Sequence, residues 1–130
     1  MDAGVSVAFK KRWPRMAEEL LALATDQRFH LGDVFVWIDG ETTIYNLGLQ
    51  QHWKSRAKIA ALDRAVRRML DLSSKAGISR IGMPRVGAGL GGLEWARVKS
   101  VLGALGAETP IELLVFEQFV RGATSAGLPR

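Results

Sequence analysis

The residues best suited to chemistry lie in one glycine-rich stretch, residues 78–95, with the sequence ISRIGMPRVGAGLGGLEW. Its apolar start has the length of a buried strand, and Pro84 ends the strand because proline has no N–H to donate. Four glycines follow within six positions, and apolar residues then recur at helical spacing, so that a helix is predicted from near Gly92. A glycine loop between a strand and a helix brings backbone N–H groups and a positive helix N-terminus to an anion. The stretch therefore predicts a site for a phosphate or diphosphate.

The spacing of these glycines does not complete a common nucleotide-binding motif. No Lys-Ser or Lys-Thr pair follows Gly92, which argues against a P-loop. Gly87, Gly89 and Gly92 have GxGxxG spacing, but no acidic residue ends a following strand where a nucleotide ribose would need one. Spacing alone leaves two alternatives open: an anion site, or a glycine turn that only allows close packing of a strand and a helix.

Composition sets the class of protein. A chain of 130 residues, 48% hydrophobic and 24% charged, has the size and composition of one globular domain. The absence of cysteine excludes disulfides, thiolate zinc sites and a cysteine nucleophile. His30 and His52 are too few and too far apart to suggest a metal site, and no cofactor is implied. With no apolar run of about 20 residues and no signal-peptide pattern, we expect a cytoplasmic protein without membrane contact.

The net charge of +5 favours anionic partners such as nucleotides, nucleic acid or a phosphorylated ligand. One basic run covers residues 10–12, and further cations lie on a helix predicted for residues 55–76. Each group can be a solvated helix face. The alternative is a basic nucleic-acid-binding protein that uses the second helix. Its contact residues would be Arg56, Lys58, Arg64, Arg67 and Arg68.

Periodicity predicts an alternating α/β order. Helices are expected at residues 2–11, 14–24, 55–76 and from 92, with strands at 33–39, 42–47, 78–83 and 110–116. Asp39-Gly40 is a favourable hairpin turn between the first two strands. Strands joined by helices predict a mixed sheet with helices on both faces. We expect one domain over residues 1–120 and a flexible tail over residues 121–130, because the tail has little to bury.

Ligands of such sheets bind outside the carboxyl ends of the strands. Three segments meet that edge: residues 48–53, residues 84–92 and the chain from Phe116 onward. In the first, Gln50 and His52 offer hydrogen bonds, and Trp53 offers either a stacking face or a core side chain. The convergence of these segments predicts one pocket.

The residues of these loops resemble a known family. MPRVGAGLGGLEW, residues 83–95, closely resembles the phosphate-binding loop of macrodomains, in particular the subgroup with the terminal ADP-ribose glycohydrolase, the chromatin-remodeller macrodomain and the antitoxins that reverse DNA ADP-ribosylation. AGVSVAFKK, residues 3–11, resembles the first ligand loop and the helix after it. Tyr45-Asn46-Leu47 with His52-Trp53-Lys54-Ser55 is similar to the antitoxin branch, and the likeness covers about residues 1–117. It implies a three-layer α/β/α fold around a mixed sheet.

The resemblance implies that ADP-ribose, free or attached to protein or nucleic acid, occupies the pocket. Phe116 would lie near the adenine, where an aromatic ring can stack. Backbone amides of two loops would hold the diphosphate and the proximal part of the ADP-ribose. The implied binding residues are Gly4, Val5 and Ser6 in the first loop, and Pro84, Arg85, Val86, Gly87, Ala88, Gly89, Leu90 and Gly91 in the second.

Two departures from the family pattern concern catalysis. The resemblance places a nucleophilic lysine of the hydrolase members at Gln50, which cannot form a Schiff base. It places the loop aspartate of the terminal glycohydrolase at Gly91. If the chain hydrolyses an ADP-ribosyl linkage, the reaction must use a phosphate-positioned water or substrate strain, with Gln50 and His52 as the catalytic candidates. An ADP-ribose-binding module without catalysis is the alternative.

A third departure is at the start of the sequence. Met1 falls inside the first ligand loop, so we expect a fold that lacks the usual first strands of the family. An exposed sheet edge would then need covering, and a homodimer through that edge is one way to cover it.

Overall fold

The computed structural model describes residues 5–50, 56–88 and 91–117. Within these residues the chain forms four helices and four strands. In chain order they are α1 (Val5–Arg12), α2 (Pro14–Thr25), β1 (Val34–Asp39), β2 (Thr42–Leu47), α3 (Ile59–Lys75), β3 (Arg80–Met83), α4 (Trp95–Ala107) and β4 (Glu112–Val115).

β1 and β2 form the predicted antiparallel hairpin. The register runs from Val34 opposite Leu47 to Asp39 opposite Thr42. Both strands are rich in β-branched and aromatic residues, which pack well on a pleated surface. The predicted hairpin is confirmed, with Gly40 and Glu41 as its two loop residues and Asp39 as the last residue of β1; Gly40 has the positive φ, +60°, that such a turn requires.

β3 and β4 form a parallel pair, with Arg80 opposite Glu112 and Met83 opposite Val115. α4 lies between them in the sequence and makes the crossover that a parallel pair needs. The mixed α/β class is confirmed. In the described part of the chain, however, the strands form two two-stranded sheets, and not the one continuous sheet that was expected.

α3 holds the two sheets together. Its apolar face is fully buried at Leu62 and Val66 and packs in one cluster with α4 and β3. Val34, Tyr45 and Leu47 of the hairpin pack against that same cluster. Burial of each large apolar side chain contributes about 1.5–3 kcal/mol, so this helix is the main source of cohesion. Its end was predicted correctly, since Gly77, with a φ of +75°, follows its last turn.

Two predicted helix starts were wrong. α3 begins at Ile59 and not at residue 55, because Lys58 has an extended backbone and the N–H groups of Ala57 and Lys58 bond to distant loops. α4 begins at Trp95 and not near Gly92, whose φ of +78° is incompatible with a right-handed helix.

No helix of the described residues is long and apolar enough to cross a bilayer. The predicted tail over residues 121–130 lies outside the described residues, so the domain boundary stays a prediction.

Candidate functional site

The glycine loop after β3 begins with two tight turns. The Val86 N–H donates to the Pro84 carbonyl at 2.8 Å, and the Ala88 N–H donates to the Arg85 carbonyl at 3.3 Å. The chain then reverses at Gly87, which has a φ of +76°. The Leu93 N–H closes the loop by a 2.9 Å bond to the Gly87 carbonyl. The loop is thus fixed by its own backbone at both ends.

Gly87 is also where the loop contacts the end of β2. A Cβ added at Gly87 would lie 2.7 Å from Leu93 Cδ1 and 3.7 Å from Leu49 Cδ1. Leu49 follows β2 and directly precedes Gln50, so the two loops that were expected to converge do lie together. A positive φ and a close approach both require glycine at this position.

Residues 56–58 connect these two loops. The Ala57 N–H donates to the Gly91 carbonyl at 2.8 Å, and the Lys58 N–H donates to the Leu49 carbonyl at 3.0 Å. Ala57 is buried, and a Cβ added at Gly91 would lie 3.2 Å from the Cβ of Ala57. One short extended segment therefore sets the spacing between the end of β2 and the glycine loop.

Phe116 follows β4 and lies beside the start of the loop. Its N–H donates to the Met83 carbonyl at 2.9 Å, which places it one residue from Pro84 across the parallel pair. Its ring lies against Gly82, where an added Cβ would be 3.1 Å from Phe116 Cε2. The glycine in β3 thus makes room for an aromatic ring next to the glycine loop.

A cluster of charged and aromatic side chains borders the loop. The Arg85 guanidinium stacks over Trp95, with its Cζ 5.3 Å from the ring centroid. Trp95 Nε1 donates to Glu117 Oε1 at 2.7 Å, and Lys99 Nζ lies 3.2 Å from the same oxygen. These hydrogen bonds from Trp95 and Lys99, with the nearby positive charges, lower the pKa of Glu117 below its usual range. At neutral pH the cluster therefore holds an ionised carboxylate.

The family follows from a comparison of the whole sequence. The sequence model of the family described as "Macro domain" matches residues 1–102. The chain belongs to the Macro domain family. The match includes residues 3–11 and residues 83–95, which are the segments whose resemblance was noted from the sequence.

Curated relatives carry glycohydrolase names. A DNA ADP-ribosyl glycohydrolase of Mycobacterium tuberculosis is 27% identical over 106 residues, which are 78% of this chain and 30% of that protein. The chain thus spans about a third of the length of that relative. The human ADP-ribose glycohydrolase OARD1 is 28% identical over 116 residues, which are 89% of this chain and 73% of that protein.

Solved structures support the fold. The macrodomain of Mycobacterium tuberculosis DarG superposes with a TM-score of 0.83 at 23% identity, and the match covers 92% of this chain and 82% of that one. Thermosipho africanus DarTG in complex with ADP-ribose gives a TM-score of 0.77 at 17% identity, with 91% of this chain and 36% of that one covered. At such identities the likeness shows the macrodomain fold, and it says nothing of individual side chains.

Several of the predicted site residues lie together in this macrodomain. Residues 84–88 and Gly91 form the loop, Gln50 follows the Leu49 that contacts it, and Phe116 lies at its start. Val5 and Ser6 are the first residues of α1. The remaining predicted site residues, Gly4, His52, Gly89 and Leu90, lie outside the described residues. The binding roles of all these residues stay predictions.

The residues that support the loop were not predicted from the sequence. Arg56 and Lys58 were assigned to a helix, and Trp95 and Glu117 were given no role. Arg56 instead lies beside the loop, where a Cβ added at Gly92 would be 3.6 Å from its Cγ. With Arg85 it places two exposed guanidinium groups at the loop's margin. Cations beside backbone N–H groups form an environment suited to a phosphate group.

Proposed function

We propose that this chain binds ADP-ribose at the rim formed by the glycine loop, the end of β2 and Phe116. The observation that carries the proposal is the way backbone hydrogen bonds hold the loop. Leu93 bonds to Gly87, and Ala57 bonds to Gly91, so both flanks of the loop are held before any ligand arrives. Preorganisation of this kind lowers the entropy that binding must offset. Family membership and the fold shared with Thermosipho africanus DarTG, which was solved in complex with ADP-ribose, support the choice of ligand.

The diphosphate would be bound mainly by backbone N–H groups. One set would belong to the glycine loop, and the other to the backbone at the start of α1, where the resemblance places the binding residues Val5 and Ser6. Arg56 and Arg85 would add positive charge at the loop's margin. Phe116 would stack on the adenine, since its ring is held at Gly82 beside the loop.

A second candidate function, hydrolysis of an ADP-ribosyl linkage, is favoured by the names of the relatives. Gln50 has the position that the resemblance gives to a nucleophilic lysine, so hydrolysis here would not pass through a covalent lysine adduct. A water positioned by the phosphates would be the nucleophile, and Gln50 would orient it by hydrogen bonding.

The ADP-ribose would be presented on a protein or a nucleic acid, and DNA is the target named for the mycobacterial relative. Homodimerisation through a sheet edge is proposed as well, because each sheet of the described residues has only two strands, so that every strand is an edge strand. Sedimentation at increasing concentration would measure it, and a monomer throughout would contradict it. A cytoplasmic location remains part of the proposal.

Titration calorimetry tests the ligand. The full chain is titrated with ADP-ribose, and in parallel with ADP and ribose 5-phosphate. Saturable heat with ADP-ribose, and weaker binding of both fragments, is expected because each fragment loses part of the contact. No heat with ADP-ribose at about 1 mM, equivalent to binding weaker than roughly −4 kcal/mol, would contradict the proposal.

A matched pair of variants tests the location of the site. Arg85→Gln removes a charge beside the glycine loop, and Arg97→Gln removes an exposed charge from α4. We expect the first to weaken ADP-ribose binding about tenfold, corresponding to roughly 1.4 kcal/mol, and the second to leave it unchanged. Equal effects of both would indicate a response to net charge and not a site at this loop.

A further inference from the structure

The junction of α1 and α2 carries positive charge that the candidate ADP-ribose site does not use. Lys10, Lys11 and Arg12 occupy the last turn of α1, and Arg15 lies in the first turn of α2. All four are exposed. A single cation in the last turn is enough to complement a helix dipole, so the dipole does not account for four within six positions.

Aromatic rings lie among these cations. Phe9 and Trp13 pack edge to face, with ring centroids 5.4 Å apart and planes at 67°. The Arg12 guanidinium lies over Trp13, its Cζ 5.1 Å from the ring centroid. Phe9 keeps 36% of its surface exposed. The result is an aromatic platform with a guanidinium stacked on it, open to solvent.

The platform is attached firmly to the rest of the domain. Trp13 Nε1 donates to Asp39 Oδ2 at 3.0 Å, which ties the helix junction to the end of β1. Met16, one turn later, is fully buried. The rings are therefore held in place before a ligand binds, and this reduces the entropy lost on stacking.

Two of the four basic residues of α3, Arg67 and Lys75, are paired with carboxylates. Arg67 lies 3.1 Å from Asp63 and 3.7 Å from Glu108, and Lys75 lies 3.0 Å from Asp71. In the part of the chain that the structure describes, no acidic side chain forms an ion pair with Lys11, Arg12 or Arg15. The α1–α2 junction thus offers three neighbouring cations without an ion-pair partner among the described residues, whereas α3, the helix that the sequence had suggested for nucleic acid, has Arg67 and Lys75 paired with carboxylates.

We propose that single-stranded nucleic acid binds at the basic–aromatic surface formed by Phe9, Lys11, Arg12, Trp13 and Arg15. The cations would contact successive phosphates, and a base would stack on the exposed ring of Phe9. Unpaired bases offer π faces that a duplex keeps inside its stack, so a single strand fits this surface better. The proposal goes beyond ADP-ribose recognition, because it requires no ADP-ribose on the strand.

Fluorescence anisotropy with a labelled, unmodified oligodeoxythymidine tests the charge component. The variant Lys11→Gln/Arg12→Gln/Arg15→Gln is compared with Arg68→Gln/Lys75→Gln/Arg97→Gln, which removes the same charge elsewhere. We expect the first to weaken binding at least tenfold and to reduce the slope of log K against log salt by about 2, since each phosphate contact contributes roughly 0.7. The second should change binding by less than about twofold, because only long-range charge is lost. Equal losses in both would overturn the proposal.

Two further arms test the stacking and the class of ligand. Phe9→Ala should weaken binding about fivefold or more, whereas Leu21→Ala, which truncates a side chain that is 68% exposed, should not. A duplex of the same length, or polyglutamate of equal charge, should compete poorly. Competition as strong as that of the single strand, or no effect of Phe9→Ala, would overturn the single-strand assignment. Circular dichroism of each variant confirms folding, and ADP-ribose calorimetry should match the parent, so that a failure here is separable from a failure of the pocket.

Discussion

Trp95 and Glu117, 22 residues apart in the sequence, are joined by a 2.7 Å hydrogen bond from the indole Nε1 to the carboxylate. The bond connects the first residue of α4 to the residue after Phe116, so it links two sides of the glycine loop. Lys99 lies 3.2 Å from the same carboxylate oxygen, and Arg85 stacks over the indole. Supporting contacts of this kind decide how precisely a binding loop is held.

The first prediction concerns pH. The pKa of Glu117 is lowered, chiefly by the hydrogen bond from Trp95 and then by Lys99. A lowered carboxyl pKa means that this group's stabilising contribution is fully present above the unfolded value of about 4.3 and is lost as the pH falls through the folded value. We therefore expect the Trp95 indole resonance to titrate with a midpoint below the ordinary pKa of a glutamate.

Nuclear magnetic resonance of the indole N–H, assigned with Trp95→Phe, measures this titration. In Glu117→Gln the amide oxygen still accepts the hydrogen bond but carries no charge, so the resonance should not shift over the range in which glutamate ionises. If the indole titrates equally in both proteins, Glu117 is not its partner.

The second prediction concerns Gly87. Gly87→Ala places a Cβ at a φ of +76° and 2.7 Å from Leu93 Cδ1. The backbone strain costs about 1–2 kcal/mol, and the displacement of Leu93, the flexible end of a side chain, adds about 1 kcal/mol. Because Leu93 also closes the loop, we expect ADP-ribose binding to weaken at least tenfold, measured by calorimetry.

Gly77→Ala is the matched control. Gly77 has nearly the same φ, +75°, but a Cβ there has no neighbour within 4 Å. It should cost about 1–2 kcal/mol of unfolding free energy and leave ADP-ribose affinity unchanged. If both variants bind ADP-ribose equally well, the loop at Gly87 takes no part in the site.

The third prediction concerns the attachment of the hairpin to α3. Ser73 is fully buried, and its hydroxyl donates to the Tyr45 hydroxyl at 2.9 Å. Ser73→Ala and Tyr45→Phe should each lower the unfolding free energy by about 1 kcal/mol, because each leaves one polar partner behind. Their double variant should cost less than the sum, by about 0.5–1.5 kcal/mol.

Urea denaturation of the four proteins measures the coupling, with the exposed Ser100→Ala as a control expected within about 0.5 kcal/mol of the parent. Strict additivity of the two single variants would mean that the hydroxyls contribute independently and that the hydrogen bond does not stabilise the fold.

Local patterns allowed much of the fold to be predicted. The hairpin was predictable because Asp39-Gly40 and the flanking β-branched residues act over a few positions. The buried face of α3 was predictable because Leu62 and Val66 lie on a helical period. The strand predicted for residues 110–116 from its short apolar run is confirmed over Glu112–Val115.

The support of the site was not predictable in this way. Arg56, Ala57 and Lys58 all have good helix propensity, yet they lie outside α3, and the N–H groups of Ala57 and Lys58 bond to Gly91 and Leu49. Those partners are distant in the sequence, and no local sequence pattern predicts them. The same holds for the bond between Trp95 and Glu117. Tertiary hydrogen bonds outweighed propensity at the positions that hold the loop.

The fourth prediction separates binding from hydrolysis at Gln50. The parent lacks an amine at the position where the resemblance places a lysine, so we expect it to release ADP-ribose slowly from ADP-ribosylated DNA or protein. Gln50→Lys restores a nucleophile beside Leu49, the residue that contacts the glycine loop, and should raise release by at least tenfold. Borohydride trapping of an adduct in the variant alone would show that the new lysine reacts. Gln27→Lys, an exposed position in the turn after α2, is the matched control and should leave release at the parent's rate. If the parent is already as fast as Gln50→Lys, a positioned water is sufficient and the lysine is dispensable in this macrodomain.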